Sequence, residues 1–319
     1  MIKQQVFVTR KLNPEVIAML EKVAQVEQWT KNTPIPRELL LEKIEHVDAV
    51  LTMLTERVDE EFLACTKRLR IVANMAVGYD NIDLEACRRH EVIVTNTPDV
   101  LTESTADLAF ALLMATGRRL TEANRFLLQG EWTSWSPTLM AGQNVYGSTL
   151  GIIGMGRIGE AVGRRAKGFG MRILYHNRNR KPQAERETGA RYADLAELLQ
   201  ESDYVVLLTP LTEDTRMLMG EKQFSLMKET AVFINVSRGG TVDESALYQA
   251  LVDKKIWAAG LDVFAVEPVP MDNPLLQLPN VVALPHIGSA TVQTRAEMAR
   301  LAAANIVAVL SGRGPLTAV

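Results

Sequence analysis

The chain has little cysteine and no long hydrophobic run, and both absences restrict where it functions. Cys65 and Cys87 are the two cysteines among 319 residues, and they lack the spacing of a redox or metal motif. Such sparse cysteine is typical of proteins in a reducing compartment. No apolar run reaches membrane-spanning length, and the opening Met1-Ile-Lys-Gln-Gln-Val lacks the apolar core of a secretory signal. We therefore expect a cytoplasmic protein.

An excess of charge of either sign is also missing. The formal net charge is −3 at pH 7, with 23% charged and 47% hydrophobic residues, which is ordinary for a globular protein. This balance favours neither nucleic acid nor an anionic membrane as a partner, so an anionic substrate must be bound by individual arginines. Single hydrophobic cores stop growing at about 250–300 residues, so a chain of this length is expected to form two domains.

Short apolar segments alternate with amphipathic helical segments, a pattern that predicts parallel sheets built from βαβ units. Five candidate strands precede residue 100: Val6–Thr9, Val26–Trp29, Ala49–Thr52, Ile71–Ala73 and Val92–Thr95. Six more follow in a second series: Leu150–Ile153, Met171–Tyr175, Tyr204–Leu207, Ala231–Asn235, Ala258–Asp262 and Val281–Ala283. Two series of strands imply two doubly wound α/β domains rather than one large sheet.

Two helical segments mark the domain boundaries. Thr102 to Gln129 is predicted as one long helix between the two series, with Thr102 as its N-cap. Thr291 to Leu310 is rich in alanine and leucine, and Gly312 and Gly314 end it. Because this second helix follows the last strand, we expect it to pack back on the first domain. The predicted domains are 1–101 completed by 288–319, and 102–287.

A glycine-rich turn opens the second series. The sequence Gly151-Ile-Ile-Gly154-Met-Gly156-Arg157-Ile-Gly159 follows an apolar strand and begins a helix. In this setting Gly154 permits a tight turn, Gly156 lets the backbone approach a pyrophosphate, and Gly159 lets the helix pack on its strand. The phosphates then lie at the unpaired N–H groups near Arg157, where the helix begins. The segment predicts a dinucleotide-binding site.

An acidic residue is missing where NAD-binding sites of this kind place one. That residue lies about 20 residues beyond the glycines, at the end of the second strand, and accepts hydrogen bonds from the ribose. No Asp or Glu occurs between Glu160 and Glu185, and the position falls on Asn177, followed by Arg178 and Arg180. Guanidinium groups bind phosphate bidentately, whereas a carboxylate would repel a 2′-phosphate. We therefore expect NADP(H); the alternative is a solvated basic loop.

Three residues of complementary chemistry follow strands of the second series, and ligands of parallel sheets bind beyond the carboxyl ends of strands. Arg238 can bind a carboxylate and polarise a ketone. His286 can donate a proton to the ketone oxygen, because imidazole changes charge near neutral pH. Glu267 can hold that imidazole in one tautomer and favour its protonated form. Each residue alone is more often structural or solvated, but the three together predict hydride transfer to a 2-keto acid.

With these motifs the chain resembles the D-isomer-specific 2-hydroxyacid dehydrogenases, and within them the NADPH-linked glyoxylate/hydroxypyruvate and 2-ketogluconate reductases. The resemblance extends nearly from end to end, through segments in this order: Val77-Gly-Tyr-Asp-Asn-Ile-Asp83, Thr105-Ala-Asp107, Leu150 to Gly159, Asn235-Val-Ser-Arg238-Gly-Gly, Ala259-Gly-Leu-Asp262-Val and Pro285-His286-Ile-Gly-Ser-Ala. It implies an α/β fold of two doubly wound parallel-sheet domains, a flavodoxin-like substrate domain and a Rossmann coenzyme domain.

The resemblance also implies roles for individual residues. Arg238, Glu267 and His286 are implied as the catalytic residues, and we expect no metal. The backbone at Val77 and Gly78 is implied to bind the substrate carboxylate, which suits a glycine turn that presents N–H groups. The other expected cofactor contacts, with Asp262 holding the nicotinamide carboxamide, are Thr105, Ile158, Thr209, Pro210, Val236, Asp262, His286 and Gly288.

The expected reaction is reduction by NADPH of a small 2-keto acid to the D-2-hydroxy acid, in a cleft between domains whose closure excludes water. Glyoxylate, hydroxypyruvate and 2-ketogluconate are the candidate acids, and Met53, Leu54 and Trp135 are candidates for the wall that distinguishes them. An NAD-linked dehydrogenase acting oxidatively is an alternative, disfavoured by Asn177 and by the lack of a regulatory domain after Val319. A redox-sensing corepressor of the same fold is another; a turnover assay discriminates.

The connection after the long predicted helix is rich in large apolar residues. It contains Trp132 and Trp135, two of the four tryptophans. Connections in compact domains are typically about 4–6 residues long, and longer ones tend to be functional. Tryptophan is enriched at protein interfaces. The alternative is that this loop packs on its own domain. By resemblance to dimeric reductases we expect a homodimer in which Trp135 of one chain borders the active site of the other.

Overall fold

The computed structural model describes residues 4–319. Met1–Lys3, which begin the predicted first domain and the opening segment considered above, lie outside the described residues. The chain divides into two compact units. Unit 1 comprises the described residues up to Leu101 together with Ala290–Val319, and unit 2 is the continuous segment Thr102–Ser289. Within residues 4–319, no helix has the length and apolar character needed to cross a membrane.

In its described part, unit 1 is a five-stranded parallel sheet covered by helices. The strands are β1 (Gln5–Val8), β2 (Gln25–Gln28), β3 (Ala49–Thr52), β4 (Ile71–Asn74) and β5 (Ile93–Thr95). The helices are α1 (Pro14–Glu21), α2 (Arg37–Ile44), α3 (Glu60–Ala64), α4 (Leu84–Arg89) and, from the end of the chain, α12 (Val292–Leu310). The strand order β2-β1-β3-β4-β5 is the flavodoxin-like order of a doubly wound sheet.

Burial explains which segments became strands in unit 1. All four residues of β3 and of β4 are buried, which suits central parallel strands covered on both faces. The edge strand β2 alternates between exposed and half-buried residues. Helix α12 begins where Thr291 accepts a hydrogen bond from Thr294 N, and it packs on α1, β3 and β4. The chain then runs antiparallel to β5, where Val319 N donates to the Val94 carbonyl.

Unit 2 is a seven-stranded parallel sheet with helices between its strands. The strands are β6 (Thr149–Ile153), β7 (Arg172–His176), β8 (Arg191–Tyr192), β9 (Tyr204–Leu207), β10 (Val232–Asn235), β11 (Ala258–Leu261) and β12 (Val281–Ala283). The helices are α5 (Thr102–Gly117), α6 (Leu120–Leu128), α7 (Arg157–Gly168), α8 (Pro182–Thr188), α9 (Leu195–Glu201), α10 (Glu221–Leu226) and α11 (Glu244–Val252). The strand order is β12-β11-β10-β9-β6-β7-β8. From β6 the chain extends the sheet first to one side, with β7 and β8, and then to the other, with β9 to β12, as in Rossmann folds.

Three details differ from the sequence predictions. The predicted helix from Thr102 to Gln129 is interrupted, because Arg119 adopts a left-handed φ of 55° between α5 and α6. Thr102 is the first residue of α5 and so does not cap it from outside. The second sheet has seven strands, not six, since the two-residue strand β8 pairs with β7. The predicted strands otherwise match the observed ones to within one residue at each end.

Candidate active site

The turn between β6 and α7 depends on glycines for different reasons. Gly154 has a φ of +105°, which favours glycine, and a Cβ there would lie 2.9 Å from the backbone of Leu208 and Thr209. A Cβ on Gly159 would lie 2.4 Å from the Gly154 carbonyl oxygen. A Cβ on Gly156, by contrast, would meet no atom within 4 Å. This open space at the N-terminus of α7 fits a pyrophosphate.

Asn177, which follows β7, is bonded to the same turn. Its Oδ1 accepts a hydrogen bond of 2.8 Å from Met155 N, and its Nδ2 lies 3.5 Å from the Met155 carbonyl oxygen. Gly154 N donates to the neighbouring His176 carbonyl at 3.0 Å. An aspartate could accept the first of these bonds but could not donate the second. The asparagine therefore shapes the turn as well as replacing the expected carboxylate, a role that sequence reasoning missed.

The two arginines beyond Asn177 have different surroundings. Arg180 makes two hydrogen bonds to Glu185, of 2.7 and 2.9 Å, and Tyr175 donates its hydroxyl to the same carboxylate at 2.6 Å. The bonds from Arg180 and Tyr175 bring the pKa of Glu185 to about 2. Arg178 is exposed and has no ion pair or hydrogen bond to residues 4–319. Of the two guanidinium groups, that of Arg178 is the one free to bind a phosphate.

His286 and Glu267 form a hydrogen-bonded pair after β12 and β11. His286 Nδ1 lies 2.7 Å from Glu267 Oε2, and Phe264 N donates to Glu267 Oε1 at 2.9 Å. Burial raises the pKa of Glu267, but the hydrogen bonds from His286 and Phe264 N outweigh it, so the pKa lies below its ordinary value. The ionised carboxylate selects Nδ1 as the protonated nitrogen of the neutral ring, which leaves Nε2 for proton transfer.

The backbone of His286 is held in an unusual conformation by Asp262. Its φ of 54° is left-handed, a strain of roughly 1–3 kcal/mol for such a residue. Three bonds maintain it: His286 N donates to the Asp262 carbonyl at 2.9 Å, while Ile287 N and Gly288 N each donate to a carboxylate oxygen at 2.8 Å. Asp262 is 1% exposed, and this burial raises its pKa above the ordinary value.

Gly239 brings the Arg238 segment against the segment that carries Glu267. A Cβ on Gly239 would lie 1.8 Å from the carbonyl carbon of Phe264, so only glycine permits this approach. The charge of Arg238 also contributes to lowering the pKa of Glu267, after burial and the hydrogen bonds from His286 and Phe264 N. The Arg238 carbonyl accepts hydrogen bonds from Asn235 Nδ2 and Thr241 Oγ1 at 3.2 and 2.5 Å.

The other predicted cofactor residues lie in unit 2, at the start of α5 or α7 or beyond strand ends. Thr105 is buried, and its Cγ2 lies 3.3 Å from where a Gly288 Cβ would stand, as does Asp262 Oδ2. The Thr209 hydroxyl is buried without a partner in the described chain, so it is available to a ligand. Of the rest, Val236 is buried, Ile158 half-buried, and Arg157 and Pro210 exposed.

The predicted substrate residues do not all belong to one unit. Met53, Leu54, Val77 and Gly78 follow β3 and β4 in unit 1, whereas Trp135 lies in the irregular connection after α6 and is 77% exposed. Among residues 4–319, no group of three or more His, Cys, Asp or Glu side chains could hold a metal ion.

The fold and the turn of unit 2 define a dinucleotide-binding α/β protein with an acid–base pair beside the sheet. Residues 110–288 match the NAD binding domain of the D-isomer specific 2-hydroxyacid dehydrogenases. The chain belongs to this family of oxidoreductases.

Known proteins that are similar to this chain over nearly its full length support this assignment. A glyoxylate reductase of Thermococcus gammatolerans is 52% identical over 100% of this chain and 96% of its own. The crystal structure of a glyoxylate reductase from Paecilomyes thermophila has a TM-score of 0.90 at 32% identity, covering 100% of this chain and 99% of its own. An NADPH-dependent glyoxylate/hydroxypyruvate reductase of Sinorhizobium meliloti, solved with NADP and malonate, has a TM-score of 0.85 at 35% identity, covering 99% and 97%.

Proposed function

We propose that this protein is an NADPH-dependent glyoxylate reductase that also accepts related 2-keto acids such as hydroxypyruvate and 2-ketogluconate. The hydrogen-bonded pair of His286 and Glu267, beside Arg238, is the observation that carries the proposal. The pair supplies a proton at the edge of the sheet that also presents the glycine turn. The names of the similar proteins support the substrate class.

Bound NADPH supplies a hydride to carbon 2 of the acid, and side chains of this chain complete the reduction. His286 donates a proton from Nε2 to the ketone oxygen as that oxygen gains negative charge. Glu267 stabilises the protonated imidazole and fixes its orientation through Nδ1. Arg238 binds the substrate carboxylate and polarises the ketone. The backbone turn at Val77 and Gly78 of unit 1 can also bind a carboxylate. The product is the 2-hydroxy acid, of D configuration where carbon 2 is chiral.

The preference for NADPH rests on the loop after β7. No carboxylate lies between Glu160 and Glu185 to repel a 2′-phosphate, and the Arg178 guanidinium is exposed and unpaired within the described chain. The NADPH-dependent enzyme of Sinorhizobium meliloti supports the same choice. Asn177 is uncharged, so it does not oppose the phosphate.

A kcat/KM panel over the three acids with NADPH and with NADH tests the proposal. We expect turnover with glyoxylate and a preference for NADPH. His286→Ala should lower kcat about 10²–10⁴-fold, because the proton donor is removed, while NADPH binding measured by fluorescence persists. His46→Ala is the matched control, since that histidine is exposed in unit 1. A parent enzyme inactive with every acid and both coenzymes would refute the function.

We also propose that the protein is a homodimer joined through the surface of α6 and the connection after it. None of the nine residues of α6 is buried, although its sequence is amphipathic. Large apolar side chains are exposed on this helix and beyond it: Leu120, Leu127, Leu128, Trp132, Trp135 and Tyr146. Large exposed apolar side chains concentrated in one segment of the chain suit a protein interface. A second copy of the chain, with the same apolar surface, is the partner that we infer.

A further inference from the structure

Two side-chain amides hold the turn after β4 in unit 1. Asn96 Nδ2 donates to the Val77 carbonyl at 2.9 Å, and Asn74 Nδ2 donates to the Gly78 carbonyl at 3.1 Å. In a trans peptide, the carbonyl and the N–H of the next residue point in opposite directions. The N–H groups of Gly78 and Tyr79 are therefore turned away from these amides. Neither N–H has an acceptor within residues 4–319.

Asn81 extends the same arrangement to the turn after β3. Its Nδ2 donates to the carbonyls of Met53 and Glu56, at 3.2 and 2.8 Å, and its Oδ1 accepts from Asn74 Nδ2 at 3.2 Å. By the same peptide geometry, the N–H of Leu54 points away from Asn81. It too lacks an acceptor in the described part of the chain.

A buried carboxylate fixes the other side of the β3 turn. Glu56 is 3% exposed, and its Oε2 accepts hydrogen bonds from Met53 N at 2.7 Å and from Thr9 Oγ1 at 2.6 Å. Its Oε1 accepts from Arg10 Nη2 at 3.2 Å and from Thr55 Oγ1 at 2.6 Å. The backbone N–H and carbonyl of Met53 are thus both hydrogen-bonded within unit 1. The peptide that joins Met53 to Leu54 therefore has little freedom to rotate.

We propose that Asn74, Asn81 and Asn96, the asparagine set, are positioning residues for the substrate carboxylate. Their side-chain amides bind the carbonyl oxygens of the two turns. The N–H groups on the opposite side of the same peptides, those of Leu54, Gly78 and Tyr79, therefore point away from the asparagines and receive the anion. Fixed, unpaired peptide N–H groups form such anion-binding concavities. Uncharged amides suit this role, because an aspartate at any of these positions would repel both the carbonyl and the anion. The inference rests on the proposed reduction of a 2-keto acid and assigns the residues that prepare its carboxylate site.

Variants of the asparagine set test the inference through substrate affinity. Asn81→Ala should raise the KM for glyoxylate about tenfold with kcat changed little, because the lost interaction binds ground state and transition state alike. Asn81→Asp should raise it further, because its charge repels the Met53 carbonyl and the anion. The dissociation constant of oxalate, measured by calorimetry, should rise by the same factors, while NADPH binding stays unchanged. Asn96→Ala should act like Asn81→Ala.

The matched control is Asn280→Ala, which removes a single amide bond from Nδ2 to the Trp257 carbonyl in unit 2. It should leave the glyoxylate KM and the oxalate affinity unchanged. Folded Asn81→Ala and Asn96→Ala variants with parental KM and oxalate affinity would overturn the inference; if one variant fails to fold, the other decides. A parent enzyme that reduces no 2-keto acid refutes the proposed function instead, and the calorimetric oxalate measurement still tests the asparagine set.

Discussion

At the scale of single residues, two carboxylates hold His286: one fixes its backbone and the other orients its ring. Asp262 binds the backbone beyond the histidine and maintains its left-handed φ, whereas Glu267 binds the ring at Nδ1. Folding changes the pKa values of the two carboxylates in opposite directions, since burial dominates at Asp262 and hydrogen bonding dominates at Glu267. The ring is therefore oriented by a group that stays ionised at neutral pH, which suits the proton donor proposed for the reduction.

Glu267→Gln is predicted to change the pH dependence of the enzyme. Without the negative charge the imidazolium is less stable, so the alkaline limb of the kcat/KM profile for reduction should move to lower pH. Because folding lowers the pKa of Glu267, its ionised form stabilises the folded chain above the ordinary glutamate pKa. That stabilisation is lost as the pH falls through the lowered value, so the variant should lose less stability than the parent when the pH falls below the ordinary glutamate pKa. Profiles and thermal melts that superimpose on the parental ones would contradict the assigned role.

The sequence could predict that His286 and Glu267 lie at one edge of a sheet, where they are hydrogen-bonded, but not how the backbone holds them. Arg238, Glu267 and His286 follow strands of one parallel sheet, and strand order alone brings such ends to one edge. The bond from Met155 N to Asn177 could not be predicted, because it depends on the course of a turn. The close approach of Gly239 to Phe264 likewise follows from tertiary packing.

At the scale of elements, the loop between β7 and α8 contains two arginines, Arg178 and Arg180, that lie two residues apart but have different surroundings. Removing Arg178 is predicted to raise the KM for NADPH about tenfold or more, since a charge-assisted hydrogen bond contributes about 1.5–3 kcal/mol. Arg180→Ala should have a smaller effect, because that guanidinium is already bonded to Glu185. The KM for NADH should change little in both variants. Initial-rate kinetics with the two coenzymes provide the measurement, and equal use of NADPH and NADH by the parent would exclude a 2′-phosphate contact.

Element boundaries followed the sequence where burial determines them and departed from it where tertiary contacts do. Buried strands such as β3 and β9 were predicted at their observed bounds, since apolar runs between polar turns define them. The end of α5 at Gly117 is set from outside the helix: Gln143 N donates to the Gly117 carbonyl at 2.8 Å. A Cβ on Gly117 would also lie 2.4 Å from the Tyr204 hydroxyl oxygen. Strand β8 has two residues, too few to show a period.

At the scale of the whole molecule, the exposed surface of α6 predicts self-association. Leu127→Glu combined with Leu128→Glu should convert the proposed dimer to a monomer, since charges there oppose burial of the apolar surface. Light scattering at micromolar concentration measures the change. Val292→Glu is the control, because Val292 is 84% exposed at the start of α12 in unit 1. A parental protein that is already monomeric would contradict the proposed dimer. A Trp135→Ala variant with the parental KM for every acid would contradict the expectation that Trp135 borders the active site of the partner.

The discontinuous make-up of unit 1 has a consequence for how the protein is made. A ribosome delivers the residues in order, so β1 to β5 emerge long before α12, which covers β3 and β4 and precedes the segment paired with β5. Unit 2 is continuous in sequence and can complete its core while Ala290–Val319 are still being synthesised. The N-terminal third of the nascent chain therefore leaves the exit tunnel first but completes its core only after Ala290–Val319 have been synthesised.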